Sequence, residues 1–446
     1  MTSRYLHNSV LSFVFWSTLS TFVFIYFSYA LERQEHLELG LCVSLLFAAY
    51  YFILKTPVQT SFLVGIGLFF RLVFLFSIPN LSQDFYRFIW DGRMLINGLS
   101  PYLFSPNDII NTHESIFAQM QILHSGMGTL SAQHFSNYPP IHQLPFVLAA
   151  LISGKSITGS VAVFRIIILS ADIGILVFGK KLLKNLKLPE RNIFYYYLNP
   201  LIIIELTGNL HFEGLMLLFF IIALVFLQQQ KSIQSAVFMS FSILTKLLPI
   251  LLLPLFIYRQ KPKKIMRFYA VIALCIIIAF VPFFEFDFIK NYSNTVGLWF
   301  TNFEFNSSIY CLAKILMAHF LGLSLINYMV YTTPLLMGMI LVYFIRRKYK
   351  DTKSIIQISL WVLTFYFLIA TTVHPWYVCT LVLLSCFTTY RFAMVWSGSV
   401  FLSYFAYHQN VVSENLIWIL LEYLIFGGYM MFEVVRQHRA KASSLD

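Results

Sequence analysis

Charge is what this sequence has least of. Only 11% of its 446 residues are Asp, Glu, Lys or Arg, against roughly 25% in an ordinary soluble domain. Its hydrophobic share is 59%, gathered in runs long enough to cross a bilayer. That composition excludes a soluble enzyme or binding module. Cysteine is also scarce, with five in the chain. Cys42, Cys275, Cys379 and Cys386 lie inside apolar runs and no CxxC spacing occurs, which supports neither a disulfide framework nor a zinc site. Walker, dinucleotide-binding and serine-hydrolase signatures are missing, and no cytoplasmic loop has room for a nucleotide-binding domain. Direct use of ATP or a nucleotide sugar is therefore not expected. A cleavable leader is not expected either, because the apolar stretch from Val10 to Ala30 is too long for a signal-peptide core and reads as the first span.

What is present is a succession of apolar runs with basic residues clustered between them. The net charge of +12 thus reads as a topology signal for a chain whose partner is the lipid bilayer rather than nucleic acid. The runs predict an all-α polytopic membrane protein of roughly 12–14 transmembrane helices. The stretch 141–153 (IHQLPFVLAALIS) is too short for a straight crossing and reads as a half-helix at the outer surface. With the N-terminus inside, the basic runs at 180–191, 259–267, 346–353 and 436–441 all fall on the cytoplasmic side, while most acidic residues fall outside. The chain reads as one membrane-embedded unit, 1–446, with a large first extracytoplasmic loop, 79–160, that carries juxtamembrane helices.

The polar motifs then share the outer face. In DFYRFIWDGRMLINGL, Asp84, Arg87 and Asp91 fall at i, i+3 and i+7 with apolar residues between them, predicting an interfacial helix along the membrane. Asp84 there is either a helix cap or a carboxylate at the water–lipid boundary able to take a proton from an alcohol. Asp91 reads as a structural partner of Arg87. In LNPLIIIELTGNLHFEG, Glu205, Asn209, His211 and Glu213 surround an outward turn, either as a hydrogen-bonded hairpin or as functional groups at membrane depth. Lys246, flanked by apolar residues, either snorkels or holds a lipid phosphate as a point charge. WFTNFEFNSSIY brings aromatics together with Asn302, Glu304 and Asn306, a composition suited to sugar faces and hydroxyls and equally to an aromatic belt. TTVHPWYV sets His374 at a span end before Pro375, Trp376 and Tyr377.

In this order, from Ser82 to Tyr377, SQDFYRFIWDGRMLINGLSPYLFSP, YPP, NPLIIIELTGNLHFEG, LTKLLPILLLP, FNSSIY and HPWY resemble the bacterial polyprenyl-phosphate-mannose-dependent mannosyltransferases of the GT-C superfamily. The resemblance implies a lipid-linked mannose donor, a glycan or glycolipid acceptor, and inversion at the anomeric carbon. It also implies a site facing the periplasm or exterior of the bacterial inner membrane. Asp84 matches the loop Asp and would be the catalytic base. Lys246, Arg87 and His374 are the candidates for the donor phosphate; His211, Glu213, Asn209, Asn306, Trp376 and Tyr377 are those for sugar or acceptor. No metal ligand set is recognisable, so a divalent cation has no support in the residues and no cofactor is assigned. Two spans before the one leading into the loop, and no soluble C-terminal domain, depart from many superfamily members. A flippase or transporter using Arg165 and Asp172, and an oligosaccharide polymerase or ligase, are the competing readings.

Overall fold

The computed structural model describes residues 2–112, 115–259, 262–301, 303–347, 351–408 and 412–442. Three helices open the chain: α1 (Thr2–Tyr29), α2 (His36–Lys55) and α3 (Thr60–Val73). The following loop contains α4 (Asp84–Ile96), α5 (Pro106–Ile110), α6 (Met120–Gln133) and α7 (Pro140–Ser153), and leads into the long α8 (Ile157–Asn185). Next come α9 (Phe194–Tyr197), α10 (Pro200–Ile202), a π-helix (Ile203–Gly208), α11 (Glu213–Gln228) and α12 (Ser232–Thr245). The remainder comprises α13 (Pro262–Phe280), α14 (Phe288–Thr301), α15 (Ile309–Leu321), α16 (Met329–Ile345), α17 (Thr352–Ile369), α18 (Val378–Ser385), α19 (Phe392–Ser399) and α20 (Leu416–Ala442). Among the described residues there is no strand, only two isolated bridges. The fold is an all-α polytopic membrane protein.

Among the described residues six helices are long and apolar enough to cross a membrane, or seven if the bent pair Pro200–Gly208 and Glu213–Gln228 counts as one span; eight further apolar helices are only 10–17 residues long. The full-length spans are thus about half the number expected. Proline accounts for much of the difference: Pro200 and Pro375 start helical segments, and Pro254 and Pro334 fall inside them. Each removes a backbone donor and shortens the run.

The expected interfacial helix is α4. α4 begins at Asp84, but Phe85, Arg87, Phe88, Ile89, Trp90, Asp91, Gly92, Arg93 and Met94 are all buried. Protein rather than water therefore covers the polar side of α4. α4 packs against α6 and α7, and α7 packs in turn on α8. Gly92 permits the approach to α7: a Cβ there would stand 2.2 Å from the Phe146 carbonyl oxygen. Phe88, Phe146, Phe164 and Phe212 form an aromatic knot behind it, with Phe88 and Phe146 stacked at 4.7 Å. The segment expected as a half-helix at 141–153 is α7, started by Pro139 and Pro140.

The pair bent by 114° is the other feature that makes the site. Asn199 caps α10 through the Leu201 amide, the chain runs into the π-helix, and Leu210 takes a left-handed φ of 65° before α11 begins. Breaking a helix in an apolar environment strands carbonyls. Arg165 of α8 supplies their donors, bonding Thr207 O at 2.9 Å and Gly208 O at 3.0 Å, and Leu75 O and Ser77 O at the end of the α3 segment. One buried guanidinium therefore fixes both chain ends that flank the site.

Candidate active site

Asp84 is the first residue of α4; Gln83 takes the cap position without a capping side chain. The carboxylate is therefore not consumed by its own helix. It faces His211, with Oδ2 3.7 Å from Nε2, and its side chain keeps 39% exposure while His211 keeps 2%. On the other side of the imidazole, Nδ1 lies 3.2 Å from Glu205 Oε2, and Glu205 is fully buried. Glu205 is fixed by the Tyr404 hydroxyl, which donates to Oε1 at 2.7 Å, and by Asn209 Nδ2, which donates to Oε2 at 3.2 Å. An imidazole between two carboxylates follows, one locked and one open. Burial opposes charge on His211, but the attraction of the flanking Asp84 and Glu205 carboxylates, with Glu213 added, outweighs it and lifts the imidazole to about 9. Burial likewise disfavours the Asp84 anion, yet His211, with His374 and Lys246 behind it, holds the carboxyl below its usual range.

Lys246 follows the end of α12 in extended backbone, and its ammonium donates to Glu213 at the first turn of α11. His374 is buried and drops to about 3, first through burial and then through the like charges of His211 and Lys246, with Asp84 opposing. Its ring stacks on Trp376 at 4.3 Å and 7°, and His211 stacks on the same indole at 3.7 Å and 28°. Two rings so close and so nearly parallel cannot share one face, so the indole lies between them. The charged imidazole sits beside the carboxylates and the neutral one on the far side.

The structure thus brings together Asp84, His211, Glu213, Lys246, His374 and Trp376. It holds others in contacts within the protein. Arg87, expected at the donor phosphate, spends its Nε on Asp91 at 2.6 Å and one terminal nitrogen on the carbonyls of Ser131 and His134 at 2.5 and 2.8 Å. It ties α4 to the end of α6, with Asp91 as its buried partner. Asn209 serves Glu205 and accepts from the Leu81 amide at 3.4 Å. Asn306 is fully buried and bonds Glu422 Oε1 at 3.2 Å and Val373 O at 3.4 Å, where the chain bridges Phe305 to Thr372. Tyr377 stacks on Phe367 of α17 at 5.8 Å. Trp376, a candidate for sugar or acceptor, has both faces covered by imidazole, leaving its edge for a ligand. Asn302 lies outside the described residues.

Two members carried little sequence signal. Glu205 had one, a carboxylate inside an apolar run, where such groups are expensive. Tyr404 had none: a tyrosine among apolar residues far along the chain. The charges of the transporter reading are paired internally, Asp172 with Arg71 at 2.7 Å and the Tyr196 hydroxyl at 3.0 Å, and Arg165 with backbone carbonyls. Among the described residues no group of three or more His, Cys, Asp or Glu is arranged to hold a metal ion.

The chain is similar to Alpha-(1->6)-mannopyranosyltransferase B of Corynebacterium glutamicum, with 25% identity over 154 residues, 34% of this chain and 24% of that protein. It therefore spans about a quarter of the length of that curated relative. No solved structure matches it. The family model described as Alpha-(1->6)-mannopyranosyltransferase, N-terminal domain, matches residues 32–260, half of the chain and the part that supplies Asp84, Glu205, His211, Glu213 and Lys246, and the chain belongs to this MptA_B family.

Proposed function

We propose that the chain is an inverting mannosyltransferase. It moves mannose from a polyprenyl-phosphate-linked donor to a hydroxyl of a glycan or glycolipid acceptor, at the extracytoplasmic face of a bacterial inner membrane. The observation that carries this reading is Asp84, an open carboxylate facing a charged imidazole, with the Lys246 ammonium close enough to act on it. The family description adds the linkage, α-(1→6). Inversion to an α product requires a β-linked donor.

In this reaction the acceptor oxygen forms its bond to C1 as the bond from C1 to the phosphate oxygen breaks, and polyprenyl phosphate leaves with the electron pair. Asp84 receives the hydroxyl proton. Because His211 holds Asp84 below the usual carboxylate range, it cannot ionise an alcohol beforehand. The proton transfers as the new bond forms and the hydroxyl turns acidic, which suits a sugar transition state with oxocarbenium character. Glu205 keeps His211 oriented and charged, so the anionic site stays poised across neutral pH. Lys246 stabilises the negative charge gathering on the departing phosphate, and His374, neutral behind the Trp376 indole, supports that wall of the site.

The test is transfer by the purified full chain from polyprenyl-phosphate-mannose to α-mannoside acceptors, with analysis of the product linkage. Asp84→Asn is expected to lower the rate by about 10³-fold or more with thermal unfolding unchanged. Full activity in that variant would remove Asp84 from the mechanism. Transfer of a whole glycan instead of one sugar would favour a polymerase or ligase.

A further inference from the structure

The ammonium best placed for the donor phosphate is already occupied. Lys246 Nζ donates to Glu213 Oε1, with the lysine side chain 21% exposed and the glutamate 2%. Around the site stand three carboxylates, Asp84, Glu205 and Glu213, and two cations, His211 and Lys246. Another anion cannot settle on Lys246 unless one carboxylate gives way.

The three carboxylates are not equally free to do so. Glu205 is locked by Tyr404, Asn209 and His211. Asp84 faces His211 rather than Lys246. Glu213 has one partner on Oε1, and its other oxygen is buried with none. It is also the first residue of α11, where the positive end of the helix stabilises a carboxylate that has let go of its lysine.

We infer that Glu213 is an internal stand-in for the donor phosphate, resting on Lys246 in the empty enzyme and displaced by the phosphate of the lipid donor. This deepens the function proposed above, which supplies the identity of the ligand. It also assigns Glu213 a part in the reaction cycle. Its return to Lys246 competes with polyprenyl phosphate after transfer and helps to expel it, while Lys246 is never left as an unpaired cation in an apolar surrounding. Glu213 therefore lowers donor affinity and sets its specificity for an anion strong enough to displace a carboxylate.

The experiment measures binding of farnesyl phosphate, a short-chain polyprenyl phosphate, to the full chain in lipid nanodiscs by titration calorimetry. Glu213→Gln is expected to bind about ten-fold tighter than the parent, since one repelling charge is gone, and the gain is expected to vanish in a Lys246→Gln background. Equal or weaker binding by Glu213→Gln, or a gain that persists without Lys246, overturns the inference. If Glu213→Gln does not fold, Glu213→Asp decides: it keeps the charge with a shorter reach, and intermediate affinity is expected, with unchanged or weaker binding counting against. A parent chain that transfers mannose while its Glu213 variants bind no tighter sinks this inference alone. One that neither binds farnesyl phosphate nor transfers mannose sinks the proposed function with it.

Discussion

At the scale of single residues, His211 is the pivot. Its pKa is raised from 6.5 to about 9 by two carboxylates, so its pairing contributes stability that is fully present below about pH 6.5 and fades as pH rises through about 9. Asp84 moves the other way. Lowered from 3.8, it contributes above about pH 3.8 and loses that contribution as pH falls through its lower folded value. The trio of Asp84, His211 and Glu205 is therefore intact from mildly acidic to mildly alkaline pH. Thermal unfolding scanned from pH 7 to 10 is expected to show a falling midpoint in the parent chain and a flatter profile in His211→Gln; parallel profiles would show that His211 carries no linked proton. The sequence made the clustered set visible because ionisable groups stand out in apolar surroundings. Asp84, His211, Lys246 and His374 were all legible that way. It could not show which residues of one chemistry the fold gathers beside Asp84 and which it holds elsewhere. Arg87 and Lys246 look alike as cations in a sequence, yet one is consumed by carbonyls two helices away and the other by a single carboxylate.

At the scale of elements, α4 was readable as a helix from its periodicity but not as a buried one. Amphipathic spacing reports which side chains share a face, and it is silent on what later segments cover the polar face. Here α6 and α7 do so, and Arg87, Asp91 and Arg93 satisfy carbonyls and carboxylates inside the protein instead of water. The seat of Asp84 then depends on how closely α4 meets α7. Gly92→Ala would push a Cβ against the Phe146 backbone, where no flexible side chain can yield. A loss of about 1–3 kcal/mol is expected, read as a lowered unfolding midpoint together with a fall in transfer rate as Asp84 shifts. An unchanged midpoint would mean that the contact is looser than the structure gives. The broken helix at 208–212 is a similar case. Its composition advertised a turn, while the cap that makes the turn affordable, Arg165, comes from a different helix and left only a lone charge in an apolar run.

For the whole molecule, the composition fixed the class, since few charges and long apolar runs admit little besides a membrane protein of helices. The count of spans was less legible, because a run of apolar residues does not say where proline will divide it. Orientation rests on the distribution of basic residues and has a direct check. In a cysteine-free background, Ser125→Cys in α6 and Lys187→Cys after α8, both exposed positions, are to be labelled with a membrane-impermeant maleimide. Labelling of position 125 in intact cells, and of 187 only after permeabilisation, is expected; the reverse pattern would invert the topology. The site itself joins distant parts of the chain, with His374 and Trp376 arriving from beyond the stretch that the family model covers.

That distance matters for how the protein is made. Arg71 leaves the ribosome 101 residues before Asp172, and Arg165 emerges 42 residues before the Thr207 carbonyl it will cap. Arg71 is made before its carboxylate partner, whereas Arg165 finds the Leu75 and Ser77 carbonyls already made, and a lone guanidinium is costly in lipid. α3 is therefore expected to settle fully only once α8 brings Asp172 to Arg71. Retention of α3 beside the insertion machinery until α8 emerges is the expected consequence, which ties the charges that hold the site in shape to the order of its assembly.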